Sequence, residues 1–96
     1  MVQIIWSEEA ENDLDDIIAY ISKSSLQYAH SFYENVHEAI DNLKSFPKIG
    51  RRVPESKNPK DRELIILKYR IIYRYIKEEE KIIIMMIIHG SRLLKI

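Results

Sequence analysis

Positive charge is concentrated in one stretch of this 96-residue sequence, between residues 48 and 74. Nine lysines and arginines fall in that stretch, against three acidic residues. Guanidinium and ammonium groups bind phosphates and carboxylates, and the planar arginine fork binds them through two parallel hydrogen bonds. The stretch therefore predicts a surface for an anionic target or partner. We assign to this surface Arg51, Arg52, Arg62, Lys68 and Arg74.

Two arginines lie on a segment that alternates like a β-strand, Tyr69–Ile76. The alternation puts Arg70 and Arg74 on one face and the tyrosines on the other. His89 and Arg92 follow the last apolar run, and neighbouring strands would bring them to the same cationic site. There the arginines would stabilise charge during phosphoryl transfer, and the histidine would move a proton near neutral pH. Catalysis by Arg70, Arg92 and His89 has three alternatives: a partner-binding surface, pairing with the acidic helices, and simple solvation.

The spacing of the histidines does not predict a metal site. His30 and His37 are seven residues apart and could share a helix face, but no third ligand follows them at helical spacing. The chain has no cysteine and only two glycines, which excludes thiol chemistry and a glycine-rich phosphate loop. The sequence therefore predicts neither a bound metal nor a cofactor.

Charge is divided unevenly along the chain, although the formal net charge is zero. Residues 1–46 contain two lysines and nine acidic residues, whereas residues 47–96 contain thirteen lysines and arginines and six acidic residues. This asymmetry indicates an anionic partner for the basic half, attraction between the two halves, or two solvated faces. No segment reaches the roughly 20 apolar residues that span a bilayer, so we expect a cytoplasmic protein without membrane contact.

Two amphipathic helices precede the basic stretch. Ser7, followed by two glutamates, is typical of a helix start, because its oxygen accepts a free backbone N–H and the acids favour the helix dipole. Apolar residues recur at helical spacing as far as residues 22–25, where Ser24 or Ser25 begins a second helix that ends by Pro47. The short polar link predicts an antiparallel helical hairpin.

The other apolar segments are typical of strands. The sequence predicts a first strand at Val2–Trp6 and a later meander of Leu64–Leu67, Tyr69–Ile76 and Ile82–Ile88. The continuous apolar run of the last strand indicates that both of its faces are buried, so the strand is central or a partner covers it. Residues 47–61 hold all three prolines and predict a long loop without regular structure, which is often functional.

These elements predict an α+β fold in which residues 1–96 form a single domain. An N-terminal strand and an antiparallel helical hairpin would pack on a twisted, mainly antiparallel sheet. Tyr69, Tyr73 and Tyr75 would lie beneath the hairpin, on the strand face opposite the two arginines.

Four segments together resemble the RelE/ParE toxin superfamily, whose members often occur as plasmid stabilization proteins. They are IIWSEEAENDLDDIIAYI, FPKIGRRVPE, RELIILKYRIIYRY and MMIIHGSR, in that order and over nearly the whole chain. The resemblance implies a growth-arresting toxin of a type II toxin–antitoxin system, held in a hetero-oligomer by a co-expressed antitoxin. RelE-like members cut mRNA on the ribosome, whereas ParE-like members poison DNA gyrase.

The resemblance gives the candidate residues different roles in these two modes. Arg70 and Arg92 match positions at which RelE-like nucleases carry functional arginines, and His89 would serve as their acid–base group. Arg62 lies near a further basic position, but the next basic position falls on Glu63 or its neighbour, a departure from the pattern. The neutral total charge departs from ribosome-directed members as well. The departures favour gyrase inhibition. The alternatives are an mRNA endoribonuclease using Arg70, Arg92 and His89, and an inactive binding module that retains the fold.

The resemblance also suggests where an antitoxin would bind. Ile72, Ile76 and alternate residues of Ile82–Ile88 need cover on the sheet face opposite the hairpin, since a monomer rarely exposes apolar patches beyond a few hundred Å². We therefore expect the antitoxin to lie on that face, with the basic stretch adding charge complementarity.

Overall fold

Two helices and five strands follow one another in a computed structural model that describes residues 2–92 and 94. The elements are β1 (Gln3–Trp6), α1 (Glu8–Ser22), α2 (Leu26–Asn42), β2 (Arg51–Arg52), β3 (Asp61–Ile66), β4 (Tyr69–Ile76) and β5 (Lys81–His89). The strands form one sheet in the order β1-β5-β4-β3-β2. The β1–β5 pair is parallel and the other three pairs are antiparallel. The predicted α+β fold, a helical hairpin on a mainly antiparallel sheet, is confirmed.

Both helices begin at the serines that the sequence indicates. The backbone N–H of Ala10 donates to Ser7 Oγ at 3.0 Å, and that of Tyr28 donates to Ser25 Oγ at 3.0 Å. The Ser7 hydroxyl also donates to the carbonyl of Met85 at 2.8 Å, so this cap ties α1 to β5. Helix α2 ends at Asn42, several residues before the proline at which we expected the end at the latest.

The core lies between the hairpin and one face of the sheet. Phe32, Ile71 and Tyr73 are fully buried there, and Tyr69 and Tyr75 pack against the same cluster. The predicted position of the three tyrosines beneath the hairpin is therefore confirmed. Burying each large side chain contributes about 1.5–3 kcal/mol, which supports helices that are too short to be stable alone.

A bulge in β5 explains part of its continuous apolar run. Ile82 and Ile84 face the core, but the register with β4 shifts at Met85, so Ile87 rather than Met86 returns to the core. The core-facing positions therefore change from even-numbered to odd-numbered residues at the bulge, and both sets include apolar residues. The predicted central position of this strand is confirmed. The chain covers only one of its faces fully, because the alternate positions on the other face are half-buried.

The segment predicted as a loop without regular structure contains a short strand. Arg51 and Arg52 form β2 beside β3, and Val53 and Ser56 are buried. Ile72 faces the side of the sheet away from the hairpin and is itself only 3% exposed. The prediction of a structureless loop was therefore wrong, and so was the expectation that Ile72 needs cover from a partner.

The first strand of the predicted meander is displaced towards the N-terminus. It begins at Asp61 rather than Leu64, because the carboxylates of Asp61 and Glu63 find cationic partners on β4. Leu67 leaves the strand with φ of 53°, a left-handed conformation that suits a tight turn and not a strand. Within the described part of the chain, no helix is long and apolar enough to span a membrane.

Candidate functional site

Arg70 is the most deeply buried of the predicted site residues, with 4% of its surface exposed. Its Nε donates to Oε1 of Glu63 at 2.7 Å, and its two Nη atoms donate to the two carboxylate oxygens of Glu55 at 2.8 and 2.7 Å. Nη1 also donates to the backbone carbonyl of Arg92 at 3.1 Å. The hydrogen bonds to Glu55, and then those to Glu63, raise the pKa of Arg70 further. All three nitrogens of this guanidinium are therefore bonded within the chain.

Glu55 connects three segments around that arginine. One carboxylate oxygen also accepts the backbone N–H of Leu94 at 3.1 Å. The hydrogen bonds from Arg70, and then the one from Leu94, lower the pKa of Glu55 to about 2. Because charge-assisted bonds are roughly twice as strong as neutral ones, this pair holds the segment after β2 and the segment after β5 against β4.

Arg74, four residues further along β4, is paired in the same way. Its Nε and Nη2 donate to the two oxygens of Asp61 at 2.6 and 3.1 Å. The hydroxyl of Ser56 donates to the same carboxylate at 2.7 Å. Burial opposes ionisation of Asp61, but the hydrogen bonds from Arg74 and Ser56 outweigh it and lower the pKa of this carboxyl. The predicted shared face of Arg70 and Arg74 is thus confirmed, and both cations are neutralised there.

His89 lies on the other side of the sheet. It pairs directly with Tyr69 in the β4–β5 register, and the two rings meet edge-on at 5.6 Å between centroids. Tyr69 in turn packs against Phe32 of the hairpin at 5.2 Å. Tyr69 and Arg70 point to opposite faces of β4, and His89 shares the face of Tyr69. The sheet therefore separates His89 from Arg70. The expectation that His89 joins Arg70 and Arg74 in one cationic site was wrong; the Nδ1 atom of its exposed ring is 2.7 Å from the Ser91 hydroxyl.

The other candidate cations differ in whether their side chains form hydrogen bonds or ion pairs within the chain. Arg51 donates to the second carboxylate oxygen of Glu63, and Arg62 donates to the backbone carbonyl of Gly50 at 2.8 Å. The side chains that are exposed to solvent and have no ion-pair partner within residues 2–92 and 94 are those of Arg52, Lys68 and Arg92. Their assignments to a target or to catalysis stay predictions.

The carboxylates that neutralise the arginines were not identified from the sequence. Asp61 and Glu63 carried a usable signal, since acids two residues apart on a strand face the same side as arginines on its neighbour. Glu55 lies outside any regular element and carried no such signal. Among the residues that the structure describes, no group of three or more His, Cys, Asp or Glu side chains is placed to hold a metal ion.

A hairpin of two helices on this sheet is the fold of the RelE/ParE toxins. A chain from the chromosomal ParDE toxin–antitoxin system of P. aeruginosa has a TM-score of 0.73 and 23% identity, covering 93% of this chain and 96% of that one. The isolated RelE toxin of E. coli has a TM-score of 0.69 and 12% identity, covering 97% of this chain and 88% of that one. A metal-bound toxin from Helicobacter pylori has a TM-score of 0.70 and 17% identity, covering 98% and 100%. At these identities the likeness shows the fold alone.

A protein-family profile matches almost the whole chain. Residues 4–94 match the family described as "ParE toxin of type II toxin-antitoxin system, parDE". No curated protein sequence matches the chain. The chain belongs to the ParE toxin family and is a toxin of a type II toxin–antitoxin system of the ParE/RelE superfamily.

Proposed function

We propose that this toxin arrests growth by ParE-like inhibition of DNA gyrase and that a co-expressed antitoxin neutralises it. The family match is to ParE toxins over residues 4–94. The choice of target rests on the hydrogen bonds of Arg70, which would be the central cation of a RelE-like nuclease site in this sequence. A nuclease arginine must meet a scissile phosphate as charge develops on it. Here both carboxylates beside Arg70 already occupy its hydrogen-bonding edges.

The cost of exchanging these partners weighs against mRNA cleavage. Glu63 has 1% of its surface exposed, so moving Arg70 to a phosphate would take away its buried partner and leave only the exposed Arg51. Removing one member of a buried pair costs about 3–5 kcal/mol. His89, the acid–base candidate, lies on the opposite face of the sheet. Arrest through contacts with a protein target requires neither group to act on RNA.

The antitoxin is proposed to cover the open part of the sheet face opposite the hairpin. Ile83 and Ile76 are half-buried there, and Ile5 and Ile65 are exposed. Ile5 pairs with Ile83 in the β1–β5 register, and open apolar side chains of this kind favour a protein partner. Ile72 is left out of the proposed contact, because the chain already buries it.

The experiment that tests the target is induction of the chain in a susceptible bacterium, with DNA synthesis and translation followed separately. We expect colony formation to fall, DNA synthesis to stop first, and double-strand breaks to appear. Primer extension on a translated message should show no codon-spaced cuts. Co-expression of the cognate antitoxin should restore growth.

The variant His89→Ala separates the two modes at equal protein level. A nuclease that uses this histidine would lose roughly 10²–10⁴ in rate, whereas gyrase inhibition should change little. Codon-spaced cuts that vanish in His89→Ala would show that the toxin cleaves mRNA and would contradict the proposal of gyrase inhibition. Normal growth on induction of folded protein would leave only the inactive binding module.

A further inference from the structure

Two adjoining clefts lie on the hairpin side of the sheet, where the chain turns from α2 into β2 beside the end of β4. The first, of about 440 Å³, is mainly apolar, and the second, of about 230 Å³, is lined by four cations and one acidic residue, Glu78. Both clefts are lined by Lys48, Tyr75 and Lys77, so they form one surface. We call this the Tyr75 surface and define it by Phe46, Lys48, Ile49, Lys60, Arg62, Tyr75 and Lys77.

The apolar part of the Tyr75 surface is unusually open. Phe46 and Ile49 are each 62% exposed, although both are large apolar side chains. They are held in position, because the Tyr73 hydroxyl donates to the carbonyl of Pro47 at 2.9 Å and accepts the N–H of Gly50 at 3.0 Å. A Cβ at Gly50 would lie 2.6 Å from a backbone oxygen of β3, so this turn packs as closely as the chain allows. A surface fixed in advance binds with a smaller entropy cost.

The cationic part has charges that the chain does not neutralise. Lys48 and Lys77 form no ion pair with any residue among 2–92 and 94. Lys60 reaches Glu78 at 3.4 Å in an exposed pair, which stabilises little. Arg62 donates to two backbone carbonyls of the turn and still contributes its charge to the second cleft.

We propose that the Tyr75 surface binds an acidic segment of the antitoxin, placing a large apolar side chain in the first cleft and a neighbouring carboxylate in the second. The proposal rests on the toxin being neutralised by a partner protein, as proposed above. The two clefts share three residues, so one or two residues of a partner segment span both. The surface also adjoins the open face opposite the hairpin, since Ile76 follows Tyr75 and points to that face. One segment can therefore pass around the end of β4 and contact both.

A protein segment fits this surface better than a nucleic acid does. The chain has as many acidic as basic residues, and residues 1–46 carry nine acids against two lysines. A long polyanion needs a continuous cationic track, whereas a short acidic segment experiences only the charges within about 10 Å at ordinary salt.

The test uses the full chain and its cognate antitoxin. The variant Lys48→Glu/Lys77→Glu reverses the two unpaired charges, and Ile49→Asp removes the exposed apolar group. The matched control is Lys23→Glu/Lys44→Glu, which reverses two exposed lysines outside both clefts and outside the basic stretch. We expect each test variant to bind the antitoxin at least about tenfold more weakly, a change of about 1.4 kcal/mol, and the control to match wild type. Thermal unfolding of each variant establishes that it is folded.

The two proposals fail in different ways. If the test variants escape neutralisation by the antitoxin but still arrest growth alone, the inference holds. If antitoxin affinity is unchanged while growth arrest is lost, the surface contacts the target and the inference is overturned. Weaker binding of a single-stranded RNA oligonucleotide at unchanged antitoxin affinity would overturn it as well. If wild type binds the antitoxin without arresting growth, the proposed toxin activity fails while the affinities still test the surface.

Discussion

The β3–β4 face around Arg70 and the Tyr75 surface both contain several cations, but they use them differently. Around Arg70, the side chains of Arg51, Arg70 and Arg74 each pair with a carboxylate, and two of those carboxylates, Glu63 and Asp61, are buried. At the Tyr75 surface Lys48 and Lys77 have no ion-pair partner in the described part of the chain. The first set holds segments together, and the second set remains available to a partner.

This difference shows why a count of cations misleads about function. The basic stretch reads as one feature, but strand pairing divides it between a neutralised interior and an open cleft. A buried ion pair contributes little to net stability, but removing one of its partners leaves an uncompensated charge and is strongly destabilising. Exposed cations instead increase association rate and specificity. The comparison therefore predicts large stability effects in the first region and small ones in the second.

Replacing Arg70 with methionine should have the largest effect on stability. The change leaves Glu63 buried beside an apolar side chain, so we expect a loss of about 3–5 kcal/mol in the free energy of unfolding. Urea denaturation followed by the fluorescence of the single tryptophan, Trp6, measures this loss. Lys57→Met at an exposed position should stay within roughly 0.5 kcal/mol of wild type. A loss below about 1 kcal/mol for Arg70→Met would remove the distinction between the two regions.

Acid should weaken the Arg70 face through Glu55. The folded-state pKa of Glu55, about 2, lies below its ordinary value of 4.5. Its contribution is therefore complete above about pH 4.5 and is lost as the pH falls from there towards 2. At pH 7 we expect Glu55→Gln to cost about 1.5–3 kcal/mol, since its hydrogen bonds involve charged groups. The difference in unfolding free energy between wild type and variant should shrink across that pH window.

A matched variant isolates this effect from the general action of acid. Glu38→Gln changes an exposed carboxylate on α2 and should show little difference from wild type at any pH. A difference for Glu55→Gln that stays constant between pH 7 and 3 would mean that its charge does not support the fold.

Tyr73→Phe should have the smallest effect on stability and should act on the second region. The variant removes the hydroxyl that holds Pro47 and Gly50, so we expect a cost of about 1–2 kcal/mol. Because the turn then loosens, antitoxin affinity should fall even though no residue of the Tyr75 surface has changed. Tyr33→Phe, with an exposed ring, is the control for loss of a hydroxyl. Equal affinities for the two variants would mean that the turn does not need this support.

Much of the fold could be predicted because local signals agreed with the tertiary result. The serine caps, the helical spacing of apolar residues and the alternation of Tyr69–Ile76 each depend on neighbours within a few residues. The strand at Arg51–Arg52 was missed because it consists of two residues and exists only through its pairing with β3. The bulge at Met85 was missed for a similar reason: it is a property of the β4–β5 pair.

Less of the candidate site could be predicted. The shared face of Arg70 and Arg74 followed from alternation within one strand. Whether His89 reaches that face depends on the register between two strands, and a shift of one residue would reverse the answer. The sequence around Glu55 has no periodicity, so its bond to Arg70 could be read only from the folded chain.

The sequence by itself determined the family, the helical hairpin and the presence of many cations between residues 48 and 74. Only the tertiary structure decided which of those cations are neutralised and which are free. Helix caps and strand alternation act over a few residues and leave a local pattern. Ion pairing acts through space, across 15 residues from Glu55 to Arg70, and depends on how the sheet brings distant segments together.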